Sequence, residues 1–317
     1  MAEVQLTLEG AGGIPVAFRR AVESHGLASV APWSRRGPDL LEVALATSVG
    51  PRVVRLACAE PDLPGATVTV DCLPVSGDRP PARELRASAG RLLGLDRDLG
   101  PLHSTAAGDP DLCWIAAAGA GAIARGTTVF EDVIRTLLTT NCAWSGTVSM
   151  CTRLVEAWGD PVPVAPGDEP RRSFPRPEVL ASVGEGELGQ EVRLGYRGPS
   201  LLSIARSVAN GEIELEELGA GQSDIGDDEV ERRLRALPGI GPYAAAHVML
   251  LIGRPSRPIL DSWTRPRYAG LTGGGRVTDD AIRRRVSPYG PDAGLALWLM
   301  LTRDWFEPSR PSGETGP

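Results

Sequence analysis

The stretch from Leu237 to Ala245 reads Leu-Pro-Gly-Ile-Gly-Pro-Tyr-Ala-Ala and decides the fold of this chain. Pro242 suits the first turn of a new helix, where its missing N–H costs nothing. Apolar residues recur at the helical spacing on both sides of the glycines, namely at Val230, Leu234 and Leu237 before them and at Ala244, Val248 and Leu251 after them. The sequence therefore predicts two helices joined by a tight hairpin.

The glycines of this hairpin are suited to binding a phosphate. Gly239 and Gly241 can adopt positive φ and bring the backbone to the surface without a Cβ. The N–H groups that begin the second helix then face outward, where they can bind a phosphate. Asp228 is predicted to cap the first helix, with Glu231 at the capping-box spacing. A single aspartate, Asp261, follows Gly241 by twenty residues.

The hairpin and Asp261 together resemble the helix-hairpin-helix DNA glycosylases, which excise damaged bases. Two more stretches are similar to that family. Phe130 to Asn141 resembles its first core helix, which ends in a Gln or Asn that enters the DNA. Leu194 to Arg197, Leu-Gly-Tyr-Arg, resembles a turn of the 8-oxoguanine and 3-methyladenine branches. The resemblance covers about residues 126–307.

The fold implied by this resemblance is mostly α, with an N-terminal α+β domain. Residues 1–108 are predicted to form the strand-rich scaffold domain, because apolar and polar residues alternate there in several short runs. Residues 109–307 are predicted to form the helical glycosylase domain. Residues 308–317 are rich in Pro, Gly and Ser and are predicted to form a loose tail.

Asp261 is the expected catalytic carboxylate. Breaking an N-glycosidic bond leaves an oxocarbenium-like sugar, which a carboxylate can stabilise while it orients a water. The second interpretation is structural, since an aspartate before a short helix is a favoured N-cap. Both roles are compatible.

The other DNA contacts are implied by the resemblance. Gly239 and Gly241 would form the phosphate clamp, and Asn141 would fill the gap left by the flipped base. Tyr196 and Arg197 would be the wedge and the reader of the unpaired partner base. Structural interpretations remain open at each position: a helix–helix turn for the glycines, a helix C-cap for Asn141, and an exposed turn with an ion pair for Tyr196 and Arg197.

Tyr243 and Trp144 are the predicted stacking surfaces for the extruded base, because any base can stack on an aromatic ring. Either could instead belong to the core. Trp263, Trp298 and Trp305 are predicted to be core residues. His247 lies four residues after Tyr243 and is predicted to be a partly buried histidine with its hydrogen bonds satisfied.

No cofactor is predicted, apart from a monovalent cation that the family often binds through hairpin carbonyls. The five cysteines all lie at or before residue 151, so the four-cysteine C-terminal iron–sulfur cluster of one branch of the family has no counterpart. The sequence also contains no C-x-x-C pair of the kind that binds a structural metal. Every one of the 33 basic residues is arginine, which excludes a lysine Schiff base. The bifunctional branch carries its lysine at the position of Tyr243.

The expected partner is double-stranded DNA containing a damaged base. The net charge of −7 argues mildly against nucleic acid. However, residues 229–285 contain eleven arginines and five acids, which predicts a local basic face. The sequence shows no signal peptide and no apolar run of membrane length, so we expect a cytoplasmic protein of bacterial style. We also expect a monomer.

These observations predict a monofunctional DNA glycosylase. The aromatic residue at position 243 favours an alkylated purine as the substrate. Asn141, Tyr196 and Arg197 favour an 8-oxoguanine-type glycosylase, which is the first alternative. A non-catalytic protein that binds damaged DNA is the second alternative, and the presence of Asp261 argues against it.

Overall fold

The computed structural model describes residues 3–73, 77–221 and 224–306. An antiparallel sheet dominates its N-terminal part, with the spatial order β1-β5-β4-β3-β2. A small hairpin, β6 with β7, lies between helices. The strands are β1 (Val4–Thr7), β2 (Trp33–Arg35), β3 (Leu40–Leu45), β4 (Arg52–Cys58), β5 (Thr67–Cys72), β6 (Pro161–Val162) and β7 (Arg171–Arg172).

Helices make up most of the rest of the chain. They are α1 (Phe18–Val22), α2 (Ala82–Leu92), α3 (Gly100–Ala106), α4 (Trp114–Ala117), α5 (Val129–Thr139), α6 (Trp144–Trp158), α7 (Pro177–Ala181), α8 (Glu185–Val192), α9 (Arg197–Ala209), α10 (Asp227–Arg235), α11 (Pro242–Leu251), α12 (Thr264–Leu271), α13 (Asp279–Val286) and α14 (Ala293–Thr302). The predicted fold class, mostly α with an N-terminal α+β part, is confirmed. The predicted tail at 308–317 lies outside the described residues.

Two large hydrophobic clusters form most of the core in the part of the chain that the structure describes. One encloses α5, α6, α9, α10 and α11. The other joins the inner face of the sheet and α2 to α13 and α14, so the C-terminal helices pack on the N-terminal strands. Trp298 illustrates this junction, because its indole Nε1 donates to the carbonyl of Ser24 at 2.8 Å. The predicted boundary near residue 108 stays a prediction.

Helix α5 is the central element of the helical part. Thr128 caps it by accepting the amide of Glu131 at 3.0 Å. Glu131 and Arg135 are both fully buried and form an ion pair at 3.0 Å. Asp132, also fully buried, accepts the amide of Gly126 at 2.6 Å, and burial raises its pKa to about 6. A buried charge network thus fixes the start of the helix whose end reaches the candidate site.

Among the described residues, no helix combines the length and the apolar character that a bilayer crossing requires.

Candidate active site

The hairpin has the predicted geometry. Helix α10 ends at Arg235 and α11 begins at Pro242. Gly239 has φ +80°, a conformation that strains any side-chain-bearing residue, and a Cβ there would lie 2.8 Å from Leu137 Cδ1. Gly241 differs from the prediction, because its φ of −87° is ordinary extended backbone. Open space surrounds its Cα. Gly241 therefore keeps the backbone accessible and does not supply an unusual φ.

The predicted cap of α10 is wrong. The helix begins at Asp227 with Gly226 at its N-cap, and no side chain of the described residues caps it. Asp228 and Glu231 instead bind the guanidinium of Arg257. The reason is that these two long-range ion pairs hold both carboxylates away from the helix end.

Asp261 caps the next helix. Its Oδ1 accepts the amides of Trp263 at 3.0 Å and Thr264 at 2.6 Å, directly before α12. Within 3–73, 77–221 and 224–306, no donor hydrogen-bonds its Oδ2. Because the hydrogen bonds to Oδ1 fix the rotamer of Asp261, they also fix the position of Oδ2, which makes no hydrogen bond of its own to the described residues. The capping interpretation is confirmed, and it leaves one carboxylate oxygen for chemistry.

A cleft of about 1130 Å³ brings most of the predicted site residues together. It separates the hairpin from the end of α5 and the turn before α9. Of the predicted residues, the cleft is lined by Asn141, Tyr196, Gly239, Gly241, Tyr243 and Asp261. These positions are up to 120 residues apart in the chain (141 to 261), so only the fold unites them.

Asn141 and Tyr196 form a hydrogen-bonded pair at the cleft. Asn141 has φ +48°, a left-handed conformation that asparagine tolerates better than most residues. Its Nδ2 donates to the Tyr196 hydroxyl at 3.1 Å. Hydrogen bonds from Thr140 and Asn141 lower the pKa of Tyr196. Tyr196 is 61% exposed, so a large aromatic ring stands out beside the cleft.

Arg197 and Trp144 do not line the cleft. Arg197 is 7% exposed and donates to the carbonyls of Thr140 and Leu194. Trp144 begins α6 and packs beside Gly26, where a Cβ would lie 3.2 Å from the indole. Both side chains contact partners outside the cleft, so the structure does not bring them to the other predicted site residues.

Trp263 is a cleft residue that the sequence prediction missed. It lines the cleft next to Asp261 and is 39% exposed. Trp305 is 41% exposed, so the core prediction is wrong for both and confirmed only for Trp298, which is buried. The three indoles contact each other with ring centroids 5.7–6.1 Å apart. The proximity of Trp263 to Asp261 was the signal that could have identified it.

A buried histidine pair lies behind Tyr243. His247 contacts the Tyr243 ring at 5.1 Å between centroids, and its Nε2 lies 2.5 Å from Nε2 of His25. Burial lowers the pKa of His247 to about 4, while the nearby charge of Asp261 opposes the shift. Burial, with the charges of His247 and Arg135, lowers the pKa of His25 as well. Both rings are therefore neutral at pH 7 and can share one N–H between them.

This pair predicts acid sensitivity. A folded-state pKa below the unfolded value means that unfolding takes up protons between pH 6.5 and 4, so stability is lost as pH falls through this window. For His247, a drop from pH 7.5 to 5 should cost about 2 kcal/mol of unfolding free energy. We expect His247→Phe to remove this loss.

The measurement is urea unfolding of both proteins across that pH range. Asp132, whose pKa is raised, contributes with the opposite sign in both proteins. The difference between the proteins therefore isolates the histidine. Equal pH profiles for wild type and His247→Phe would contradict the assignment.

The arginine-rich stretch is less basic than its composition suggested. Nine of its eleven arginines form ion pairs, several with acids outside the stretch, such as Asp109, Asp227 and Asp304. Arg235 borders the cleft, 51% exposed, with Glu231 at 3.5 Å. The expected basic face is thus reduced, because folding brings acids from distant segments against it.

The sheet, the helical hairpin and the following aspartate define a helix-hairpin-helix fold of the DNA glycosylase type. The chain is similar to 3-methyladenine DNA-glycosylase from Archaeoglobus fulgidus, with 18% identity, TM-score 0.74 and coverage of 96% of this chain and 99% of that one. It is also similar to MBOgg1 in complex with a low affinity DNA ligand, with 20% identity, TM-score 0.73 and coverage of 95% and 94%.

A third similar structure is the 8-oxoguanine glycosylase/lyase of Clostridium acetobutylicum in its apo-form. It has 20% identity and TM-score 0.66, and covers 89% of this chain and 94% of that one. No protein-family model matches the chain, and no curated protein matches it in sequence. The likeness therefore concerns the fold.

Proposed function

We propose that this protein is a monofunctional DNA glycosylase, which hydrolyses the N-glycosidic bond of a damaged base. The observation that carries the proposal is Asp261, whose Oδ1 is fixed by two amides while Oδ2 stays available at a cleft. A fixed carboxylate stabilises the cationic sugar that forms as the base departs, and it orients the attacking water.

The surrounding residues supply the other requirements of the reaction. A base inside a duplex must leave the stack before its glycosidic bond can be reached. Tyr196 and Asn141 would enter the duplex and fill the space left behind. The backbone of Gly239 and Gly241, with the first amides of α11, would bind a phosphate. Carbonyls of the hairpin would be the ligands of the monovalent cation that the family resemblance implies.

We propose an alkylated purine as the substrate. Tyr243 and Trp263 offer aromatic faces in the cleft beside Asp261. Many alkylated purines carry a positive charge, and a cation is attracted to the face of tryptophan or tyrosine by about 0.5–2 kcal/mol. An 8-oxoguanine-type activity is the second candidate, favoured by the Asn141–Tyr196 pair. The monomeric state and the cytoplasmic location remain predictions.

The test is a panel of duplexes, each with one lesion, incubated with the purified protein and analysed for released free base. We expect release from duplexes with 3-methyladenine or 7-methylguanine. Release of 8-oxoguanine alone would move the assignment to the second candidate. Tight binding without any release would favour a non-catalytic damage-binding protein.

The product is expected to be an intact abasic strand. Strand cleavage by this class of chemistry requires an amine that forms a Schiff base, and the chain contains no lysine. Treating the reaction with borohydride should therefore trap no covalent protein–DNA adduct. A lysine-dependent glycosylase/lyase serves as the positive control. A high yield of adduct would show that another amine, such as the N-terminus, is the nucleophile.

A further inference from the structure

The carbonyl of Thr140 is the point where two parts of the cleft meet. Helix α5 ends at Thr139, and Thr140 continues in an extended conformation. Its carbonyl accepts hydrogen bonds from Arg197 Nε at 3.1 Å and from Arg197 Nη2. The Tyr196 hydroxyl donates to the same oxygen at 3.4 Å. The end of α5 is thus tied to the start of α9, 57 residues further along the chain.

Arg197 is committed to this contact. Its side chain is buried, and its guanidinium lies 4.5 Å from the centre of the Tyr196 ring. Its remaining hydrogen bond within the described residues goes to the carbonyl of Leu194 at 3.5 Å. A guanidinium with five donors in a rigid fork, when it is held by carbonyls on one side and a ring on the other, is not free to reach a base.

Asn141 depends on the contact. It follows Thr140 directly, adopts φ +48°, and donates from Nδ2 to the Tyr196 hydroxyl. A left-handed conformation in a residue other than glycine persists when the surroundings hold it. Here the surroundings are the Thr140 carbonyl fixed by Arg197 and the phenol of Tyr196. The two turns therefore behave as one unit, with Asn141 and Tyr196 at its exposed end.

We propose that Arg197 is a positioning residue, which fixes the Thr140 carbonyl and so holds Asn141 and Tyr196 ready to enter the duplex, and that it does not read the partner base. This inference rests on the proposed function and refines it. If the activity depends on the base opposite the lesion, Arg197 is not the residue that causes this dependence. The sequence resemblance had implied the reverse role.

The first test measures binding, which requires no base release. Duplexes carrying a stable abasic-site analogue opposite C, T, A or G are titrated with wild type, Arg197→Ala, Asn141→Ala and the double variant. Losing charge-assisted hydrogen bonds should weaken binding by about tenfold for Arg197→Ala, equally opposite all four bases. The loss in the double variant should be smaller than the sum of the two single losses, because Arg197 acts in part through Asn141.

Two further variants separate positioning from loss of folding or of charge. Arg197→Gln keeps an N–H donor for the carbonyl and removes the charge, so it should recover much of the binding even if Arg197→Ala is unstable. Arg206→Ala removes another arginine of α9, exposed and bound to the carbonyls of Ala181 and Val183, and should bind as wild type does.

The outcomes are decisive. A loss confined to cytosine opposite the site, no loss at all, or additive losses with Asn141→Ala would each overturn the proposal. If wild type releases no base from any lesion, the glycosylase assignment fails, but the binding comparison still decides the role of Arg197. If wild type is active, single-turnover release should follow the binding pattern across the four partner bases.

Discussion

Replacing Asp261 by asparagine is expected to lower base release by about a thousandfold, the order seen when a preorganised charge-stabilising group is removed. Asparagine retains a side-chain oxygen that can accept the amides of Trp263 and Thr264. The cap of α12 and the shape of the cleft should therefore survive. What disappears is the negative charge that stabilises the sugar cation.

The measurement compares single-turnover excision with affinity for the same lesion duplex. Affinity should change by less than about threefold, since the lost group acts on the transition state. Asp280→Asn is the matched control, because Asp280 is an exposed carboxylate in the first turn of α13 paired with Arg283. It should be fully active. Wild-type excision by Asp261→Asn would remove the basis of the proposed mechanism.

Replacing Arg135 by methionine is expected to cost about 3–5 kcal/mol of unfolding free energy, because it leaves a buried carboxylate without its cation. Glu131 is fully buried, and its Oε1 is held by Arg135 at 3.0 Å. Arg135 also donates to the carbonyl of Val30 at 3.2 Å, across to the strand-rich part. Both contacts are lost in the variant.

Chemical denaturation gives the free energy, and the double variant Glu131→Gln with Arg135→Met is the control. Removing both charges leaves no unpaired ion, and such replacements are often neutral or stabilising. The double variant should therefore recover most of the loss. If it is as unstable as Arg135→Met alone, packing and the Val30 contact, and not the ion pair, dominate the effect.

Local chemistry made the hairpin predictable. The helical spacing, Pro242 and the glycines act within about twenty residues, and the structure has the two helices they predicted. The side-chain assignments depended on distant partners. Arg197 hydrogen-bonds to Thr140, and His247 contacts His25, which lies 222 residues away in the sequence. No periodicity in the sequence encodes such pairs, because they form only when separate elements pack.

Apolar character alone did not predict which tryptophans are exposed. Apolar character favours burial, and Trp298 follows that rule on α14. Trp263 does not, because it falls in the short turn that Asp261 caps, at the rim of the cleft. An exposed indole in such a place indicates an interaction surface, which composition alone does not locate.

The contact between Gly239 and Leu137 joins the hairpin directly to α5. The turn at Gly239 packs against Leu137 of α5, four residues before Asn141, and a Cβ at position 239 would lie 2.8 Å from Leu137 Cδ1. In the proposed complex, where the hairpin binds a phosphate and Asn141 enters the duplex, this packing sets the distance between the two DNA contacts, and the duplex has to deform to match it. The energy needed to deform the duplex would then help the protein to distinguish damaged from intact DNA. A site where damage has weakened base stacking deforms at a lower free-energy cost than intact DNA.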